Sequence, residues 1–303
     1  MLHEKIRVSA PVLEELPIGI ESRHPFPRAL PDRPLVVIEP RKAWAPLNLL
    51  DLWTYRELFY FLIWRDVKVR YKQTLIGVLW VVIQPLMTTL IFTIFLGVLA
   101  RIPSGDIPYP LLVFTGILPW TFFSAAVAGS GNSLVSNAHL ITKVYFPRMI
   151  IPGAAIGGRL LDFAIALIML AGLAIYYGIP PTKNLLMLPV IIVLLTIFCW
   201  GFGMWISAAN VKYRDIGVIL PVFVQLWMFV SPVAYPVTLI PQKWRWLHFL
   251  NPLAGMIEGF RSAALGLQFK WGPLIYAAAV TLILFVYAAY SFQRTERTFA
   301  DII

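Results

Sequence analysis

The sequence predicts an all-α integral membrane protein with six transmembrane helices per subunit, an N-terminal amphipathic interface helix, and outer-face re-entrant helices between spans five and six. Three observations predict it. Of 303 residues, 59% are hydrophobic and only 13% are charged, about half the roughly 25% found in soluble domains. Uncharged runs of spanning length recur along the chain, and basic residues gather on flanks that would share one side of the membrane. A water-soluble enzyme is excluded by the first observation alone.

The first 46 residues contain eight prolines among alternating charges. They predict a proline-rich cytoplasmic arm without regular helix, because proline removes a backbone donor and clashes within a helix. They lack the apolar core of a secretory signal peptide, so the start of the chain is expected to stay in the cytoplasm. Residues 47–74 mix Leu52, Trp53, Tyr55, Phe59, Tyr60, Leu62 and Ile63 with Arg56, Glu57, Arg65, Asp66, Lys68 and Arg70, as in a helix lying at the lipid headgroups.

The transmembrane domain is expected over residues 75–293. Lys72 and Arg101 enclose 28 uncharged positions, which give a first span at 75–99, since about 20 apolar residues cross a bilayer. A second runs from 110 to 127 and is expected to end at Gly129-Ser130-Gly131-Asn132-Ser133. The third covers 149–177 and contains Arg159 and Asp162. The fourth is placed at 185–209, the fifth at 216–233 and the sixth at 273–290, followed by a cytoplasmic tail, 294–303. Segment 234–272 is too polar and too often broken by Pro236, Pro241 and Pro252 to span, yet it carries Trp244, Trp246, Leu247, Phe249 and Leu250. Such a stretch fits half-helices buried in protein or lining a wet cavity.

Six spans put both termini on one side. With that side cytoplasmic, ten Lys and Arg residues flank the spans inside and six outside, in the sense of the positive-inside rule. The net charge of +10 is thereby explained without nucleic acid. Cys199 is the single cysteine and His3, His24, His139 and His248 are scattered, so neither a disulfide framework nor a metal centre is indicated. No phosphate-cradling G-x-x-x-x-G-K-[ST] occurs. The chain is therefore expected to bind no cofactor of its own and to be no enzyme.

Three sets of residues stand out. Arg159 and Asp162 are three apart within a span, so they share a helix face and can neutralise one another as a structural pair, the alternative being a transport pathway. Glu258 and Arg261 repeat the spacing in the outer segment, where an intrahelical salt bridge and a role beside an exit route stand equal. The loops 136–148 and 210–217 are basic turns on composition, or docking elements for a cytoplasmic partner. Trp80, Trp120, Trp200, Trp205 and Trp227 fit interfacial belts, although aromatic faces also stack on sugar rings.

Several runs resemble the membrane subunits of type-two ABC exporters of polysaccharides, which move O antigen, capsule or teichoic acid. Trp64-Arg65-Asp66-Val67-Lys68-Val69-Arg70-Tyr71-Lys72, with Gly77, Trp80 and Pro85, is similar to that family's interface helix and first span. Gly116-Ile117-Leu118-Pro119-Trp120 with Phe122-Phe123, then Lys143-Val144-Tyr145-Phe146-Pro147-Arg148, resembles its second span and first coupling loop. Asn210-Val211-Lys212-Tyr213-Arg214-Asp215 resembles the loop before its fifth span, and Asn251-Pro252 with Glu258, Phe260 and Arg261 its outer re-entrant pair. The proline-rich arm departs from the family pattern.

The resemblance implies a multi-pass inner-membrane permease that pairs with a second copy of itself and with two copies of a P-loop ATPase, which would hold ATP and Mg. A lipid-linked polysaccharide would pass through a channel between the two membrane subunits, amid membrane lipids and with no nucleic acid involved. It further implies ATPase coupling by Asp66, Arg70, Tyr71, Lys143, Tyr145, Phe146, Arg148, Arg214 and Asp215. Trp120, Phe122, Glu258 and Arg261 become candidates for the channel or its exit. The alternatives are a same-fold exporter of a drug or small lipid, an integral membrane glycosyl or acyl transferase, and an ion-coupled transporter. The transferase would need convergent acids or a His, but Asp106, Glu258 and His248 lie far apart in sequence.

Overall fold

The computed structural model describes residues 53–72, 77–105, 107–296 and 299. The arm 1–46, the beginning of the expected interface helix, Asp106 and most of the tail lie outside the described residues. All regular structure among the described residues is helical. Helix α1 covers Arg56–Lys72 and α2 covers Gly77–Phe92, continuing as π-helical turns over Thr93–Leu99. Next come α3 (Tyr109–Ser136), the short α4 (Ala138–Lys143), α5 (Ile150–Tyr176), α6 (Leu188–Lys212) and α7 (Ile216–Val230). After two short helical turns, α8 (Arg245–Phe249), α9 (Pro252–Leu265) and α10 (Trp271–Glu296) close the order.

Among the described residues five helices are long and apolar enough to cross a membrane: α2 with its π-helical end, α3, α5, α6 with its leading turn, and α10. The expected fifth span, 216–233, is instead the fifteen-residue α7, about 22 Å long against roughly 30 Å of hydrocarbon. Ser231 to Val233 leave the helical path because α7 ends against the segment held by α9, described below. The second span is longer than expected. Helix α3 passes through Gly129 to Ser133 and stops at Ser136, because those residues serve packing rather than a turn. A Cβ on Gly131 would lie 2.8 Å from Ile206, and one on Gly203 would lie 2.2 Å from Ser130 Oγ. Two of the polar side chains bond locally, Ser133 Oγ donating to the Ser130 carbonyl at 2.6 Å and Asn132 Nδ2 to that of Ala128 at 3.1 Å, whereas the Ser130 hydroxyl is buried with no hydrogen-bond partner among the described residues.

Helix α3 is the centre of the bundle, packed by α2, α5, α6 and α9, while α10 lies against α6 and α9. Of its most apolar eighteen residues 78% are buried, against 11% for α2. Phe123 on α3 sits 5.8 Å from Phe198 and 5.3 Å from Trp227 between ring centroids, within the range of favourable aromatic pairs. Trp120 packs 5.5 Å from Phe123 and is 5% exposed.

Eleven of the fourteen residues of α9 are buried, so segment 252–265 is a core element and not a surface loop. Asn251 caps it, accepting from the Leu253 amide at 3.1 Å and from Trp227 Nε1 at 3.1 Å while donating to Ser231 Oγ at 2.9 Å. Gly266 ends it in the left-handed region at φ 71°, where glycine carries no Cβ penalty. Gly116 of α3 faces the Val233 carbonyl so closely that a Cβ would lie 2.0 Å from its oxygen. Gly116→Ala is expected to destabilise the protein by about 1–3 kcal/mol through overpacking. Gly172→Ala, with nothing within 4 Å, should leave the thermal unfolding temperature in detergent unchanged or slightly raised.

Candidate functional site

Helix α1 follows α5 rather than crossing it. Phe59 and Ile63 meet Gly153 and Gly157, where a Cβ would lie 3.0 Å from Phe59 and 2.5 Å from Ile63, and Asp66 and Val67 reach Gly158. One residue in four on α1 thus tracks a glycine ridge on α5, the small-residue spacing that lets membrane helices approach closely. The opposite side of α1 exposes Tyr60, Phe61 and Trp64 beside Glu57 and Lys68, a mixed aromatic and charged surface.

The ridge ends at Asp162. Arg70 Nη1 donates to Asp162 Oδ2 at 2.7 Å and to the Gly158 carbonyl at 3.1 Å, and the Tyr71 hydroxyl donates to Asp162 Oδ1. Burial and this hydrogen bond push the Tyr71 pKa up to about 12, so the phenol stays protonated as the donor. Arg159 reaches the same carboxylate only at 3.5 Å. The expected pair of Arg159 and Asp162 is thus present as an i,i+3 ion pair, with the carboxylate also held, and more closely, by Arg70 and Tyr71 of α1. The guanidinium of Arg70 and the hydroxyl of Tyr71 thus both bind Asp162 within the chain. Asp66 is engaged by Arg65 at 2.8 Å, and Arg65 Nη2 also donates to Asn137 Oδ1 at 2.8 Å.

Around Arg70, Arg159 and Asp162 lies a cavity of about 270 Å³ between α1, α2, α3 and α5, with Phe122 in its wall. Phe122 is buried, 5.0 Å from Phe163 between ring centroids.

At the end of the bundle that holds the junctions α3–α4 and α6–α7, the two basic loops differ internally. Lys143 and Tyr145 project outward, Tyr145 with 83% exposure, whereas Phe146 is buried. Arg148 is bound from two sides by Glu296 at the end of α10: its amide donates to the carboxylate at 2.9 Å and its Nη1 to the Glu296 carbonyl at 2.6 Å. In the second loop Lys212, Tyr213, Arg214 and Asp215 are exposed. Asn210 fixes that loop to α3, donating to the Gly131 carbonyl and to Asn132 Oδ1, each at 3.0 Å, and accepting from the Gly217 amide at 3.0 Å.

At the opposite end Arg261 is 3% exposed. Its Nη1 donates to Glu258 Oε1 at 2.5 Å, and its Nη2 lies 3.0 Å from the Pro232 carbonyl and 3.3 Å from that of Leu112. Glu258 is also 3.5 Å from Lys270 Nζ. Nearby, burial pulls the His248 imidazole below its ordinary pKa, partly opposed by Glu258, which keeps it neutral near pH 7. Among the described residues no group of three or more His, Cys, Asp or Glu could hold a metal.

A family model described as "ABC-2 type transporter" matches residues 57–265. The chain belongs to the ABC-2 type transporter family. It is 30% identical over 257 residues to the "O-antigen export system permease protein RfbA" of Myxococcus xanthus, covering 84% of this chain and 98% of that protein. A protein of the same name from Klebsiella pneumoniae is 28% identical over 242 residues, 79% of this chain and 92% of its own. The "Polysialic acid transport protein KpsM" of Escherichia coli is 25% identical over 236 residues, with 77% and 91% covered.

The ABC-2 match begins within α1 and ends at the last residue of α9, so it includes the Asp162 cluster, both basic loops and Arg261. Of the residues proposed from the sequence, Lys143, Tyr145, Arg214 and Asp215 are exposed together at one end. Of the channel or exit candidates, Phe122, Trp120 and Arg261 are buried within the chain, at 3%, 5% and 3% exposure. Residues missed by sequence reasoning are Asn132, Asn137, Asn210 as a fastener, and Glu296. Gly153 and Gly157 carried a legible signal in their spacing. Asp162→Asn is expected to lower stability by about 2–3 kcal/mol and Arg159→Gln by less than about 1 kcal/mol. Combining Arg159→Ala with Asp162→Asn should restore nothing, because the carboxylate that Arg70 and Tyr71 bind is still missing; thermal unfolding of the purified variants reads all three.

Proposed function

We propose that this chain is the membrane subunit of an ATP-driven exporter of a lipid-linked polysaccharide, acting in the inner membrane with both termini cytoplasmic. The likeness to O-antigen export permeases over nearly their whole length carries this reading. Two copies would form the channel and two copies of a P-loop ATPase would dock at the basic end; the absence of any phosphate-cradling loop in the sequence supports a separate ATPase. The whole transmembrane domain would span 75–293, with α7 as the short fifth of six crossings and 234–272 re-entrant on the outer face.

Helices α2 and α7 supply the natural channel walls. Val218, Ile219, Val222, Phe223, Leu226 and Phe229 of α7 are exposed, as are Met87, Leu90, Ile91, Ile94 and Phe95 of α2. Apolar faces of that length are covered in a membrane by lipid or by a second copy. Tyr145, Lys143, Arg214 and Asp215 are the proposed ATPase contacts, since these side chains are free of the bonds that occupy Arg70, Tyr71 and Arg148. A push on α1 would be transmitted to α5 through the glycine ridge and the Arg70–Asp162 bond, because the two helices are fastened at both ends of their contact. ATP and Mg would be held by the partner, whose hydrolysis resets the push.

The deciding experiment is gentle extraction of the tagged chain from its native membrane and mass spectrometry of what accompanies it. A P-loop ATPase in equal amount, with ATP hydrolysis by the complex, is the expected result; a chain that emerges alone removes the exporter reading. Tyr145→Ala with Arg214→Glu should leave the unfolding temperature unchanged, since both sites are exposed. The same variant should reduce recovered ATPase or export by about tenfold, the scale of a contact in which Tyr and Arg are frequent hot spots. Normal recovery and export would remove the loop-docking assignment.

A further inference from the structure

The lining of the cavity beside Asp162 is mixed: Arg70, Arg159 and Asp162 supply charge, and Trp80, Phe122 and Phe163 supply apolar surface. Both guanidinium groups reach the one carboxylate, but unequally. Asp162 gives its close contacts to Arg70 at 2.7 Å and to Tyr71. Arg159 keeps only the 3.5 Å contact, and its Nε is buried with no hydrogen-bond partner among the described residues. A guanidinium so placed in an apolar helix is costly, and its planar fork matches phosphate oxygens.

Size and access narrow the ligand. A volume of about 270 Å³ falls just under the roughly 300–1,000 Å³ of pockets for drug-sized molecules; it suits a headgroup and excludes a sugar chain. The opening runs along α2, where Trp80 is 65% exposed and Gln84 is also exposed. This is the least buried of the five long helices, so whatever enters would keep its remainder in the hydrocarbon beside α2.

We propose that this cavity binds a lipid-borne phosphate, with Arg159 as its principal ligand and Trp80 and Phe122 against the apolar part next to the headgroup. The bound anion pairs with the guanidinium that Asp162 holds only at 3.5 Å. Two sources share this chemistry, an anionic glycerophospholipid of the membrane and the pyrophosphate end of a polyprenyl carrier. Lipid retention is measured without ATP or polymer, so the site and the export reading stand or fall separately.

The test is native mass spectrometry of the full chain, with whatever subunits co-extract, after exchange into detergent containing equal phosphatidylglycerol and phosphatidylcholine. About one phosphatidylglycerol per chain is expected, preferred by about tenfold, the scale of one charge-assisted hydrogen bond. Arg159→Gln should lose that preference. So should Ala125→Phe, which fills the cavity without touching a charge and decides the matter if Arg159→Gln fails to fold. Lys183→Gln, an exposed charge at the other end of α5 and beyond, should retain the lipid. Displacement by added polyprenyl pyrophosphate assigns the carrier, and resistance to it assigns the membrane phospholipid. Equal retention of both phospholipids by the unaltered chain, or undiminished preference in Ala125→Phe, overturns the proposal.

Discussion

A carboxylate within an apolar helix must be neutralised by partners the protein itself supplies, and at Asp162 those partners come from a different helix. Arg70 and Tyr71 bind it, and in doing so they fix α1 along the glycine ridge of α5. Much of the neighbouring geometry follows. With α1 set in register, Arg65 reaches Asn137, which caps the junction of α3 and α4 and so steadies the loop that carries Tyr145. The same placement makes α1 one wall of the charged cavity. Removing the ionic fastening would leave α1 held by apolar contacts alone, on a helix whose outer side is already aromatic.

The far end of the bundle solves a different problem with the same residue type. Where α7 stops short and the chain turns toward α9, carbonyls lose their helical donors, and an unsatisfied carbonyl in an apolar setting costs several kcal/mol. Arg261 takes up the carbonyls of Pro232 and Val233 at that turn and reaches that of Leu112 on α3, while Glu258 balances its charge. Gly116 makes the approach possible by leaving room for the Val233 backbone. An arginine that sequence reasoning could set beside an exit route is thus consumed by backbone satisfaction.

What could be read from the sequence was governed by distance along the chain. Long uncharged runs located the five long helices, because span length is a local property. The spacing of Arg159 and Asp162 was equally local and visible, but the tighter partner Arg70 lies 92 residues away and nothing in the sequence pairs them. Gly129 to Ser133 have the composition of a turn; they continue α3 because Ile206, Leu220 and Gly203 of later helices need small neighbours there. Trp120 had the signature of a belt residue and is enclosed because α3 is central. The basic loops were found by composition, but which of their side chains are exposed depended on Glu296 and Asn210, whose roles have no sequence signature.

The double claim on Asp162 also bears on how the protein is made. Helix α5 carries Arg159 three residues before Asp162, so the acid enters the bilayer with a counter-ion on its own helix, at the i,i+3 spacing that lets the two meet. Arg70 is synthesised earlier but must wait for α5 to arrive before it can bind. In the finished molecule the carboxylate is held more closely by the interhelical partner, Arg70 at 2.7 Å, than by Arg159 at 3.5 Å. A counter-ion on the same helix lowers the cost of carrying an acid into the bilayer before a second helix arrives to bind it.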